Sequence, residues 1–279
     1  MSQILTIARL TFFEAARRKI LLAALILSLA FLVVYGIGFH YINLELQLES
    51  GRQLLMIREM YNFLTLAGLY AVNFLTIMMT GLTSVDTIAG EINSGTIQSL
   101  VTKPIRRWEV ILGKWFGFIF MLTLYVILMA GGVQGVVYAI AEYTVPGYWR
   151  GLVLIWLNGA LMLSVSMVGG SILSTLANGV LVFGLFGVAF VGGWIEQIGS
   201  FVNNQAAINI GIFSSLILPG EALWRRAAYE MSSPVVSAIG FSPFAAPDSV
   251  PSPMMVWYAV GYTLGMLIWA IRAFSRRDL

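Results

Sequence analysis

The chain has 279 residues, of which 59% are apolar and only 10% charged. A soluble domain carries roughly 25% charged residues, so a mean hydropathy of +0.86 predicts an integral membrane protein. The absence of cysteine and the single histidine, His40, exclude disulfides, thiolate metal sites, cysteine nucleophiles and multi-histidine centres. The net charge of +3 does not point to nucleic acid, because the basic residues flank apolar runs.

Crossing a hydrocarbon core of about 30 Å takes roughly 20 helical residues, and six segments are long and apolar enough. Ahead of them, residues 1–19 read as a helix at the inner membrane interface, with Ile4, Ala8, Phe12 and Ala15 on one side. The first span is 20–42. Its flank, "ARRKILLAAL", resembles a twin-arginine export signal. The long apolar run, the lack of a small-x-small cleavage site and the later spans make it an uncleaved first span instead. The second span is 60–85. A polar segment, 86–109, separates it from the third, 110–141, which is long enough to tilt or project from the bilayer. The fourth is 152–176 and the fifth 177–202, joined by a tight turn expected at Asn178-Gly179 in "STLANGV".

Residues 203–253 form a long connection in three parts. "QAAINIGIFSSLIL" is apolar but short, which suits a re-entrant or interfacial segment. "GEALWRRAAYEM" has helical spacing, with Leu223, Trp224, Ala227, Ala228 and Met231 opposite Glu221, Arg225, Arg226 and Glu230, and with Glu221 and Arg225 spaced as an i,i+4 pair. The remainder holds five of the eight prolines and is expected to be irregular. The sixth span is 254–273.

The distribution of charge orients this scheme. With the N-terminus inside, eleven of the sixteen Lys and Arg residues are cytoplasmic, and eight of the thirteen acids are external. Both termini are therefore expected in the cytoplasm, with 86–109 cytoplasmic and 203–253 external. Charges inside the spans are nearly absent, which disfavours a proton- or sodium-coupled carrier and an intramembrane enzyme. Glu109 and Lys114 lie near an inner end, where they are expected to snorkel. Asn73, Gln134 and Asn158 read as interhelical hydrogen-bond partners. The pairs Gly113/Gly117, Gly131/Gly135, Ser166/Gly170 and Gly261/Gly265 have the spacing of close helix contacts. The thirteen methionines are scattered in apolar runs and read as packing residues.

The polar segment "GEINSGTIQSLVTKPIRRWEVILGK" has an internal order. Helix is expected up to Asn93-Ser94-Gly95, a turn signal. A second short helix, "TIQSLV", follows with Ser94 or Thr96 as its cap. Pro104 stops it, and Arg106 and Arg107 are expected to reach the headgroups. In this order and place the segment resembles the ABC-2 family of ATP-binding-cassette transporter permeases. "TFFEAARRKILLAALI" and "LILPGEALWRRA" resemble that family too, and in particular its branch associated with copper-enzyme maturation.

The resemblance implies an all-α, type V exporter-like transmembrane domain. It also implies that the polar segment contains a coupling helix docked on a separate ATPase subunit. Carried onto this sequence, the coupling positions are Glu91, Gly95, Thr96, Lys103, Pro104 and Arg106. The implied partners are the ATPase, a second permease subunit, identical or not, and membrane lipid, with an external protein as a further candidate. ATP and magnesium are expected on the ATPase and no cofactor on this chain, since Gly113-Lys114 lacks the rest of a phosphate-binding loop. The alternative function is an ABC-type scaffold or assembly factor that passes force to an external partner without moving a solute.

Overall fold

The computed structural model describes residues 3–17, 19–48, 54–94, 106–233 and 250–277. These form nine helices: α1 (Gln3–Arg17), α2 (Lys19–Leu48), α3 (Leu54–Asn93), α4 (Arg107–Ala141), α5 (Tyr148–Ile172), α6 (Thr175–Phe201), α7 (Gln205–Ile217), α8 (Gly220–Met231) and α9 (Pro253–Ser275). Six of them, α2 to α6 and α9, are long and apolar enough to cross a membrane. At 1.5 Å per residue, the 40 residues of α3 reach about 60 Å, twice the hydrocarbon thickness. α3 therefore projects well beyond the bilayer. Residues 95–105 lie between the end of α3 and the start of α4, and the end of the bundle where those helices meet is called the loop end below.

Helix α5 is the axis of the bundle. Of its most apolar stretch, 83% is buried, against 11% for α2. Polar side chains fasten its neighbours to it. The Asn158 amide donates to Asn73 Oδ1 of α3 at 3.0 Å, and Ser84 of α3 donates to Ser166 Oγ at 2.8 Å. Trp115 and Trp156 bridge α4 and α5 through Ser164 and Thr123. In hydrocarbon such groups have no water to turn to, so they pair across helices. Gln134 instead holds the α4–α5 connection, donating to Tyr143 O at 2.9 Å.

Two of the four small-residue pairs make the close contacts their spacing predicts. A Cβ on Gly113 would lie 2.6 Å from Ile7 Cβ, and one on Gly117 would lie 2.7 Å from Ala8 O, so α1 rests directly on α4. Ser166 and Gly170 face α3. Gly131, Gly135, Gly261 and Gly265 have nothing within 4 Å of a Cβ position.

At the far end, α7 and α8 are bent 105° from one another. α7 folds back on α6 through Gly192, Gly199 and Gly211, where backbones approach too closely for any side chain. α8 is inserted among α3, α5 and α6, and Leu223, Trp224, Ala227, Ala228 and Met231 are all buried. The chain enters α5 through Gly147, whose φ of +60° favours glycine and whose Cα hydrogen faces Glu230 O, too close for a side chain.

Two local expectations fail here. The expected Asn178-Gly179 turn lies inside α6, and the chain reverses at Leu173 and Ser174. The Asn178 side chain explains the override. It is buried and donates to both Val85 O and Ser166 O at 3.0 Å, so its amide joins three helices instead of closing a turn. The polar face expected on α8 is likewise wrong for Glu221 and Arg225, which are 8% and 3% exposed. Arg225 forks onto Glu196 of α6 at 2.6 and 2.8 Å. The i,i+4 pair on α8 is Arg226–Glu230, at 2.5 Å.

Candidate coupling site at the loop end

Helix α3 runs through Asn93 and closes with Ser94, whose N–H donates to Gly90 O at 2.9 Å. The chain is described again at Arg106, which is extended and exposed. The Arg106 N–H donates to the Glu109 carboxylate at 2.9 Å. A carboxylate in the first turn also complements the positive end of the helix dipole, so α4 starts here despite its basic leader. Of the sequence candidates, Glu91 and Arg106 are therefore placed on the two helix ends that flank the segment. Gly95, Thr96, Lys103 and Pro104 lie outside the described residues.

Glu91 is turned into the bundle. Its carboxylate pairs with the Lys114 ammonium of α4, and Lys114 is 3% exposed. Lys114 does not snorkel to the interface. α1 covers it on one side, resting on Gly113 and Gly117, and α3 supplies its counter-ion on the other. The second oxygen of Glu91, Oε2, is buried with no hydrogen-bond donor.

Further polar links surround this pair. Thr175 at the start of α6 donates to Asp86 of α3 at 3.0 Å. Arg107 is tied to the end of another helix. Its Nη1 donates to Ser275 O at 3.1 Å and Arg277 O at 2.6 Å, and so neutralises carbonyls at the negative end of α9. Arg277 in turn donates to Ser171 O of α5 at 2.9 Å. With Asn178, these contacts make a collar in which α3, α4, α5, α6 and α9 are each tied to at least one neighbour at the base of the loop. Sequence reasoning missed the collar because its cations sit where lipid-facing cations are also found. Only Lys114, seven residues inside α4, carried a signal, since a lysine that far from a helix end calls for a partner.

The two helix ends that flank residues 95–105 are thus both tied to the rest of the bundle: α3 to α4 through Glu91 and Lys114 and to α6 through Asp86 and Thr175, and α4 to the end of α9 through Arg107, with Arg277 joining that end to α5. No group of three or more His, Asp or Glu residues stands together as a metal site among the described residues. Gly113 is packed against Ile7 and Lys114 is committed to Glu91, an arrangement that does not cradle phosphate.

A family model described as "ABC-2 family transporter protein" matches residues 5–279. No protein of curated function matches the chain.

Proposed function

Because the chain belongs to the ABC-2 family of transporter proteins, as a multi-pass membrane component, we propose that it is the permease subunit of an ATP-driven exporter in the plasma membrane. In this reading a separate ATPase subunit holds ATP and magnesium and docks on the cytoplasmic loop end. A second permease subunit completes the transporter. Gly95 and Thr96 shape the docked element, Pro104 stops it, and Lys103 and Arg106 make polar contacts with the ATPase or anionic lipid. Glu91 acts from within, by fixing the segment to α4.

The observation that carries this reading is the collar. A passive loop needs no buried ion pair at its root, and a charge held that deep is retained at a cost. A segment that has to move several helices together needs such rigid attachment. With no cysteine and one histidine, a copper relay built from those ligands is hard to assemble, so any copper link of the branch this chain resembles is read as indirect.

The test uses the natural absence of cysteine. Ser94→Cys should react with a membrane-impermeant maleimide in inside-out vesicles and not in right-side-out vesicles. Co-purification from the native membrane should recover an ATPase, and Gly95→Val should leave that complex intact while reducing transport-linked ATP hydrolysis severalfold. Labelling of Ser94→Cys from outside would overturn the proposal. Co-purification of an external protein by a complex that moves no solute would favour the scaffold function.

A further inference from the structure

Five arginines gather at the loop end, where α4 begins and α9 finishes. Arg106 and Arg107 open α4, and Arg272, Arg276 and Arg277 close α9 and the residues just after it. Two of the five are spent on backbone. Arg107 donates to Ser275 O and Arg277 O, and Arg277 turns back to Ser171 O of α5. Arg106, Arg272 and Arg276 are exposed, and among the described residues no carboxylate pairs with any of the three. Glu109, the acid at the start of α4, accepts the Arg106 backbone N–H. Since Arg107 already serves the last carbonyls of α9, Arg272 and Arg276 are left turned outward. Like charges crowded without counter-ions repel, so the cluster calls for an anion.

The surface that leads to the cluster shows what carries that anion. The charge-free part of α9, residues 253–271, is about 28 Å long at 1.5 Å per residue. A hydrocarbon core is about 30 Å thick, so a spanning α9 has no length to spare and Arg272 lies where the hydrocarbon ends. Trp257 and Trp269, both exposed near opposite ends of the helix, match the aromatic belts of the two interfaces. Leu264, Ile268, Arg272 and Arg276 follow one another at i,i+4 spacing, and all four are exposed. One outward stripe therefore passes from apolar to cationic. Its outline is that of an amphiphile, with a hydrocarbon chain beside Leu264 and Ile268 and a phosphate on the two guanidiniums, whose planar forks suit phosphate oxygens. An acidic protein surface would match the arginines alone and leave the apolar half of the stripe without a role.

We propose that this stripe of α9 binds a phospholipid of net negative charge, with Arg272 and Arg276 on its phosphate. A headgroup with its own ammonium would add a positive charge to a cluster already in excess, which favours an anionic lipid over a zwitterionic one. The inference rests on α9 crossing a bilayer, in keeping with its length and apolar composition, and not on ATP coupling.

Native mass spectrometry of the purified full chain, delipidated and then titrated with phosphatidylglycerol or phosphatidylcholine of matched acyl chains, tests this. The expected result is a roughly tenfold preference for phosphatidylglycerol, lost in Arg272→Gln/Arg276→Gln. The preference should persist in the control Arg9→Gln/Arg17→Gln, whose cations lie on α1. Should the double variant fail to fold, Arg276→Gln alone serves instead and should reduce the preference about threefold. Equal retention of the two lipids, a preference that survives in the folded variants, or inorganic phosphate that displaces the lipid overturns the proposal. Survival of the preference together with loss of a co-purifying ATPase would assign the arginines to an acidic protein surface instead.

Discussion

Replacing Lys114 by methionine keeps the length of the side chain and removes its charge. The ammonium is 3% exposed and its partner's side chain 13%, so neither end of the pair is bathed in water. Removing one member of such a pair leaves a stranded charge and costs about 3–5 kcal/mol. Glu91 Oε2 already has no donor, so the carboxylate has no second bond to fall back on. For a chain of 279 residues each kcal/mol moves Tm by about 2–3 °C, and Lys114→Met should unfold roughly 10 °C lower than the parent. The double variant Glu91→Gln/Lys114→Met removes the stranded charge and should recover most of that loss. Thermal unfolding in detergent micelles, followed through the eight tryptophans, is a direct assay. A buried pair is also poorly screened, so the difference should persist in 0.5 M salt, about a 4 Å Debye length. A Lys114→Met protein as stable as the parent would refute the latch, and with it the idea that α3 and α4 move as one at the loop end.

Three other outcomes are expected. Gly147→Ala forces a side chain onto a φ of +60° and sets its Cβ 2.1 Å from Glu230 O, so the far-end cap should lose about 2 kcal/mol or more, visible as a lower Tm. Gly117→Val should lift α1 from α4, since even a Cβ there would lie 2.7 Å from Ala8 O; faster amide exchange over residues 3–17 would report it. Glu221, outside the six spans, has its carboxyl raised from 4.5 to about 7 by burial, opposed in part by the Arg225 charge. An acid whose folded pKa is raised holds its proton more tightly when folded, so stability falls as pH rises from about 4.5 to 7 and levels above that. At 1.36 kcal/mol per unit the fall is about 3 kcal/mol. Glu221→Gln should flatten that part of the Tm–pH curve between pH 5 and 7.5, and an unchanged curve would refute the assignment.

The six spans were legible because length and hydropathy alone decide whether a helix can sit in hydrocarbon, and those are one-dimensional properties. The stop at Asn93-Ser94 was legible for a similar reason, since turn chemistry is local. What escaped was whatever depended on a partner far along the chain. Asn178-Gly179 carries a strong turn signal, yet the Asn178 amide has two carbonyls to satisfy on other helices, and that tertiary demand wins. Lys114, Arg107 and Arg225 look from their spacing like interface cations. They differ from such cations only because Glu91, the end of α9 and Glu196 lie opposite them, and no local pattern encodes that. On α8, Glu221 and Arg225 obey the i,i+4 rule for a solvated face, but the helix is packed among α3, α5, α6 and α9 and has no solvated face at that point. Of the candidate site the structure locates Glu91 and Arg106, on the helix ends that flank residues 95–105, and the direction in which Glu91 points was not readable.

Among the described residues, a helix threaded along the centre of the bundle leaves no bore. The core of α5 fills the middle of the chain, and its grip on Asn73, Ser84 and Trp115 keeps it there. In the proposed function a cargo would therefore have to slide along the outside of this protein. The opposite bank of that route would be lipid or another polypeptide, and the collar would serve to tilt one bank against the other.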